Sequence, residues 1–304
     1  MKTNIIAFAG TKQSGKTTCS NFLHGYQMKC YGVIDEFGLT KNGQLVIQTD
    51  VINEDGITSK GDAIIDINRV DLDFAEWAMY SMWPFVKKYS FAGSLKSIAM
   101  SFFGLKYDQL YGSEQQKRQI VPHLRWENMP GVITDKKLAS SKDVKSLISQ
   151  GRLLYHKKGP MSAREFLQFF GTDIMRSIYE PVWVKACIED IRREEPVLAV
   201  IDDCRFINEI EAVQAEGGKV IGLDRSPYED SHKSEKEIKE NWDSLDAVID
   251  NSDKDIQETN GEIIGLLDSW GWFGDALKPE EMPFPKIEEE DTTGIHTIKK
   301  VTSS

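Results

Sequence analysis

Residues 4–18 read Asn4-Ile5-Ile6-Ala7-Phe8-Ala9-Gly10-Thr11-Lys12-Gln13-Ser14-Gly15-Lys16-Thr17-Thr18, and this stretch decides the fold. The apolar run over 5–9 is strand-sized and stops at Gly10. The next eight residues, Gly10 to Thr17, satisfy the pattern G-x-x-x-x-G-K-[ST]. Cys19, Phe22, Leu23 and Tyr26 then recur at i, i+3, i+4 and i+7, which predicts a helix beginning over 16–23. Each residue type in the loop has a physical task. Gly10 and Gly15 permit a tight turn and close backbone approach, and the loop N–H groups from Lys12 through Ser14 to Thr18 suit phosphate oxygens. Lys16 would neutralise β/γ-phosphate charge, and the Thr17 hydroxyl suits Mg²⁺. An ordinary glycine-containing strand-to-helix turn is the competing account. The buried-type strand before the loop and the amphipathic helix after it favour phosphate binding.

Outward from this loop, strands and helices alternate. Strands are expected over 88–92, 196–201, 219–223 and 247–250, with helices over 94–103 and 208–216, the latter ending at Gly217-Gly218. Continuous apolar strands imply a parallel sheet covered on both faces, an α/β, doubly wound class. Two stretches look like additions to one domain over residues 1–270. Residues 34–73 carry short strand-like pieces at 44–48 and 63–70 between the turn-formers Lys41-Asn42-Gly43 and Glu54-Asp55-Gly56, suggesting a small β insertion. Residues 117–160, with Pro122, Pro130, Gly131, Gly151 and Gly159, suggest a long loop or mobile arm. The segment 271–304, with Glu288-Glu289-Glu290-Asp291, reads as an extended acidic tail.

Charge and cysteine content narrow the function. The 304 residues hold 37 Lys+Arg against 48 Asp+Glu, a net charge of -11, which argues against sequence-independent binding to nucleic-acid polymers or anionic membranes. A local basic pocket fits inside such a field. Cys19, Cys30, Cys187 and Cys204 lack disulfide-framework or zinc-site spacing and read as reduced thiols. With no apolar stretch of membrane-spanning length, a cytoplasmic protein is expected.

The rest of the chain must say what accepts the phosphate. The guanine-reading motif Asn-Lys-x-Asp is absent, and the strand Ala199-Val200-Ile201-Asp202-Asp203 lacks the Glu that follows Asp in motor ATPases. Arg205 instead stands just past the carboxyl end of that strand, where ligands bind in such sheets. An arginine there suits phosphoryl transfer to a second anion, although a surface pair of Asp203 with Arg205 is a common alternative. On the segment 162–176, Ala163, Phe166, Leu167, Phe170 and Ile174 form an apolar stripe. Arg164 and Gln168 lie on another flank, and Gly171-Thr172-Asp173 interrupts before Arg176. A solvent-facing helix with scattered charges explains that pattern equally simply. By residue type alone, Trp183 favours packing.

These residues together resemble a family. The Gly10–Thr17 loop, Phe91-Ala92-Gly93-Ser94-Leu95-Lys96, Arg164 through Asp173, Trp183-Val184-Lys185 and Asp203-Cys204-Arg205-Phe206-Ile207-Asn208-Glu209 occur in the order seen in phage-type deoxynucleoside monophosphate kinases, those of T-even bacteriophages being most alike. The resemblance runs from about residue 3 to about residue 255. It implies a nucleoside monophosphate kinase-like fold with a lid, ATP and Mg²⁺ as cofactors, and transfer of the γ-phosphoryl group to deoxynucleoside 5′-monophosphates for phage DNA synthesis. It also implies an acceptor site of Leu95, Lys96, Arg164, Gln168, Gly171, Thr172, Trp183, Lys185, Asp203, Arg205 and Glu209. Within it, Asp203 and Glu209 would read base or sugar and Arg205 would contact phosphate or base. Lys16, Arg205 and Arg176 would be catalytic, Arg176 matching the lid arginine, with Lys117 or Arg118 as a further cation. Ser234-Glu235 and residues 246–251 match the adenine-side loop and last strand. The insertion, arm and tail have no counterpart in the family; a homodimer surface or a substrate cover are two uses for them. The alternatives are a P-loop kinase of another small acceptor, such as dephospho-coenzyme A, and a non-catalytic nucleotide-binding interaction protein.

Overall fold

The computed structural model describes residues 3–52, 58–69, 71–225 and 242–272. Strand β1 (Asn4–Gly10) runs through the Gly10–Thr17 loop into helix α1 (Lys16–Cys30), which is the strand, loop and helix that the sequence implies. Three strands follow, β2 (Phe37–Leu39), β3 (Leu45–Ile52) and β4 (Thr58–Ile65), paired antiparallel in the order β2-β3-β4. The chain continues through α2 (Leu72–Ser81) and β5 (Val86–Tyr89). Next come α3 (Gly93–Phe103), α4 (Tyr107–Tyr111), α5 (Glu114–Lys117), β6 (Ile120–Arg125), β7 (Val132–Ile133), α6 (Lys136–Ala139), α7 (Lys142–Ser149), β8 (Leu154–Tyr155), β9 (Pro160–Ser162) and α8 (Ala163–Gln168). A π-helix, Phe169–Arg176, extends α8. The chain closes through α9 (Val182–Glu194), β10 (Leu198–Cys204), α10 (Ile207–Ala215), β11 (Lys219–Leu223), β12 (Ala247–Ile249) and α11 (Ile256–Ser269).

Two compact units result, residues 1–91 with 184–304, and residues 92–183. The first is built on a five-stranded sheet ordered β12-β11-β1-β10-β5, with every pairing parallel. Alternation along β1 sends Ile6 and Phe8 to one face and Ile5, Ala7 and Ala9 to the other. On the first face they meet Phe22, Leu23 and Tyr26 of α1, Phe74 and Ala78 of α2, and Ile263, Ile264 and Leu267 of α11. On the second they meet Val184, Ile188 and Ile191 of α9 and Ile210 and Val213 of α10. Because both faces are covered, the strands carry no polar alternation, and the expected α/β class with a parallel sheet is what the chain adopts. From β1 the connections run outward to β5 and back to β10, then cross to β11 and β12. The switch in direction flanks the carboxyl end of β1, where the Gly10–Thr17 loop lies.

The β2-β3-β4 sheet belongs to the same core and is no separate module. Phe37, Leu45, Ile47 and Ile65 are buried with Phe22 and Tyr26 of α1. Gly25 permits the approach: a Cβ there would lie 2.3 Å from Phe37 Cδ2 and 2.8 Å from Leu45 Cδ1. Asn21 Nδ2 donates to the Gly43 carbonyl at 2.7 Å, which fixes the β2–β3 turn on the helix.

In the second unit, a core of Ala99, Leu105, Leu110, Val121, Leu124, Trp126, Met161, Phe166 and Phe169 joins α3, α4, β6, β9 and α8. Where the sequence pattern suggests a loop or arm over 117–160, β6 pairs antiparallel with β9 and β7 pairs with β8. Prolines and glycines delimit short elements there. Ser162 and Glu165 form a reciprocal capping box at the start of α8, Glu165 Oε2 accepting from Ser162 N at 2.7 Å. The expected interruption at Gly171-Thr172-Asp173 is instead a widening of the helix into the π form. Only Gly271 and Trp272 of the acidic tail fall among the described residues, and Ser234-Glu235 lies outside them. No helix among the described residues is long and apolar enough to cross a membrane.

Candidate active site

The Gly10–Thr17 loop is held in a conformation that few residue types tolerate. Gly10 has φ +150° and Gly15 φ +103°, and a Cβ on Gly10 would come within 2.7 Å of the Leu223 carbonyl oxygen and of Ser14 Oγ. Gln13 also sits at positive φ, 62°. Lys16 folds back over the loop, its Nζ donating to Gly10 O at 2.9 Å, to Ser14 Oγ at 3.3 Å, and to Thr11 O. The lysine is thus preplaced, with its ammonium on loop oxygens that an incoming phosphate can replace. Gly15 caps α1 without a side-chain bond, leaving first-turn N–H groups for an anion.

Two neighbouring segments brace this loop. Asn251, just past β12 and 4% exposed, donates from Nδ2 to Ser14 O at 2.9 Å and accepts at Oδ1 from Arg225 N at 2.9 Å. Thr11 Oγ1 donates to Arg225 O at 3.0 Å. Asn251 lies in the 246–251 segment expected to form the last strand. Its grip on the loop needs the β11-β12 pairing and has no signal of its own in the sequence.

A carboxylate meets the loop from β10. Thr17 Oγ1 donates to Asp202 Oδ2 at 3.1 Å, and Lys88 Nζ of β5 pairs with the same oxygen at 2.7 Å. Between Ala7–Ile201 and Ala9–Cys204 the β1-β10 register slips, so β10 carries one extra residue at Asp202-Asp203. The two adjacent aspartates serve different partners. Asp203 accepts from Ser90 Oγ at 2.5 Å and from Phe91 N at 3.0 Å, pinning the turn after β5. Asp202 was visible in the sequence as the end of an apolar strand, but a bulge that re-aims it was not. Lys88 carries no sequence signal, since Lys87 and Lys88 are equivalent until the strand's two faces are known; Lys87 pairs with Glu194 at 2.6 Å.

Thr17 Oγ1 and Asp202 Oδ2 are hard oxygen donors of the kind Mg²⁺ takes. The described residues hold no cluster of three His, Cys, Asp or Glu side chains suited to a metal. Two such donors could take part in a cation's oxygen shell, with the remaining positions filled by other ligands.

Other sequence-predicted residues fall into place as follows. Thr18 abuts the insertion: a Cβ on Gly43 would lie 2.1 Å from Thr18 Oγ1. Glu209, 2% exposed, accepts at Oε2 from Arg205 N at 2.7 Å and Phe206 N at 3.1 Å, capping α10. Arg205, Lys185 and Lys12 are exposed in this first unit. Within the second unit, Leu95, Gly171 and Trp183 come together. A Cβ on Gly171 would lie 2.7 Å from Leu95 Cδ2, and the buried Trp183 donates its indole N–H to Gly171 O at 3.0 Å. Packing is what the tryptophan's residue type favours, and it is what the side chain does there. Lys96 Nζ lies 4.3 Å from the Tyr111 ring centre. Arg164 Nη1 pairs with Glu114 Oε2 at 2.7 Å, half-exposed, Gln168 and Thr172 are exposed, and Arg176 is half-buried.

Comparison with known proteins gives this arrangement a family likeness. Residues 114–262 match the deoxynucleotide monophosphate kinase family. A protein of Acanthamoeba polyphaga mimivirus named "Putative deoxynucleotide monophosphate kinase" is 27% identical over 199 residues, covering 61% of this chain and 84% of the viral protein. The matched span takes in α8, the π-helix, β10 with Asp202 and Asp203, and the Asn251 brace.

Proposed function

We propose that this protein is an ATP-dependent kinase that transfers the γ-phosphoryl group of ATP to a deoxynucleoside 5′-monophosphate. The observation that carries the reading is the convergence of Lys16, Thr17 and Asp202 at the carboxyl ends of β1 and β10. The likeness to deoxynucleotide monophosphate kinases supplies the acceptor class.

The acceptor phosphate is already anionic, so no strong general base is required. Catalysis is then positioning and charge neutralisation. The loop N–H groups at Lys12, Ser14, Gly15, Lys16 and Thr18 would hold the donor phosphates, while Lys16 exchanges its loop carbonyls for β/γ-phosphate oxygens. Mg²⁺, when bound, would offset the charge that develops between the two phosphates. Thr17 and Asp202 would hold it. Arg205 and Lys185, exposed in the first unit, would meet the acceptor phosphate or base. Arg176, in the second unit, would offer a cation to a nucleotide phosphate. Within the second unit, Lys96, Arg164, Gln168 and Thr172 would offer polar groups to a nucleotide beside the packed Leu95, Gly171 and Trp183. Asp203 and Glu209 act at one remove, the former by holding the turn after β5 and the latter by capping α10. The deoxynucleoside diphosphate formed would feed phage DNA synthesis in the host cytoplasm, and the partners would be nucleotides only.

Coupled ADP formation across a panel of deoxynucleoside monophosphates, with dephospho-coenzyme A as a further acceptor, tests this. ADP formation stimulated by one or more of the nucleotides and lost in Lys16→Ala is expected. Retention of full activity in Lys16→Ala, or stimulation by dephospho-coenzyme A alone, defeats the proposal.

A further inference from the structure

We propose that Lys88 holds the cation position on Asp202 in the ligand-free protein and that a divalent cation displaces it, so that this lysine sets how tightly the cation binds. Asp202 is 9% exposed, and a carboxylate so buried is costly without a counter-charge. That counter-charge comes from the next strand, where the Val200–Lys88 register sets Lys88 beside β10. Lys88 Nζ lies 2.7 Å from Asp202 Oδ2, the oxygen to which Thr17 also donates. One carboxylate oxygen thus carries both the hydroxyl and the ammonium. A divalent cation bound to Thr17 and Asp202 would sit against that ammonium, and two positive charges on one oxygen repel. The ammonium is on a flexible four-carbon stem and can yield, whereas the strand backbone cannot.

The inference rests on the kinase reading only in requiring that a divalent cation use Asp202. Removing one positive charge from beside a divalent ion at this range is worth about tenfold in affinity even with water-like screening. A purely structural role for Lys88 would lower the melting temperature and leave cation affinity unchanged or weaker.

Mn²⁺ binding to the full chain, read from the free-ion electron paramagnetic resonance signal without nucleotide, distinguishes these. Lys88→Met and Lys88→Gln should each tighten Mn²⁺ about tenfold, Lys88→Arg should stay near the wild type, and Asp202→Asn should bind weakly. The glutamine variant keeps a neutral donor to Asp202 and guards against loss of fold in the methionine variant, with far-UV circular dichroism as the check. Affinity within twofold of wild type in either neutral variant, or equal tightening in Lys88→Arg, overturns the proposal. Tightening in the Lys88 variants together with a wild-type protein that phosphorylates no acceptor would defeat the kinase reading alone. An active enzyme without the pattern would defeat only the role given to Lys88.

Discussion

Replacing Asn251 with alanine removes the brace between the Gly10–Thr17 loop and the β11–β12 end of the sheet. Two hydrogen bonds disappear, Nδ2 to Ser14 O and Arg225 N to Oδ1, both 2.9 Å. Ser14 is fully buried, so its carbonyl is left without that donor at a cost of about 1–3 kcal/mol. Arg225 is exposed, so its N–H can turn to water, and that bond is worth about 0.5–1 kcal/mol. Together the loss is about 1.5–4 kcal/mol, or roughly 2–6 °C in melting temperature for a protein of this size. Asn251→Asp sharpens the test. It keeps an acceptor for Arg225 N but sets a carboxylate oxygen against Ser14 O and adds negative charge beside the expected phosphate site. Thermal melting with and without ATP, together with the KM for ATP, should show both variants destabilised and the aspartate variant much the worse in KM. If Asn251→Ala melts within about 1 °C of the wild type and binds ATP normally, the brace has no energetic meaning and the reasoning fails.

Two further outcomes follow from packing and ionisation. Gly25→Val should destabilise by about 1–3 kcal/mol in urea unfolding, because even its Cβ would press on Phe37 and Leu45 where the insertion meets α1; unchanged stability would show that the β2-β3-β4 sheet can move off the helix at little cost. His24 is buried, with its Nδ1 2.7 Å from Ser20 O. Burial lowers its pKa from 6.5 to about 4, the nearby Lys88 charge pushing the same way while the Ser20 contact and Asp202 oppose it. The unfolded chain therefore takes up a proton first as pH falls. The contribution is intact above pH 6.5, declines between 6.5 and 4, and levels off at a loss on the order of 3 kcal/mol. Urea titrations at pH 7.5 and pH 4.5 should show this loss shrinking in His24→Leu; an equal pH dependence in both proteins would remove His24 as its source.

Much of the frame was legible because its signals are local. The strand at 219–223 is found where the apolar run places it, and α3 and α10 begin within a residue of their predicted starts. The Gly10–Thr17 pattern announces a loop whose glycines stand at positive φ. Less legible was the 117–160 region, whose prolines and glycines read as loop although its short elements share a core with α3 and α8. Strands β6 and β9 bury two residues each and β7 and β8 none, too few for a periodicity to emerge. Trp183 was pulled two ways, by residue type toward packing and by family likeness toward the acceptor. Its indole N–H ends on Gly171 O, a partner twelve residues away that lies in the π-helix.

By itself, then, the sequence determined the strand–loop–helix unit, the α/β class and the residue types available for phosphate chemistry, because these depend on spacings within a few residues. Tertiary structure alone decided which carboxylate reaches Thr17, that Lys88 shares its oxygen, and that Asn251 supports the loop from 237 positions away. Those contacts follow from the strand order β12-β11-β1-β10-β5 and from one extra residue in β10. A one-residue slip changes which side chain faces the loop while leaving the local pattern of apolar residues unaltered.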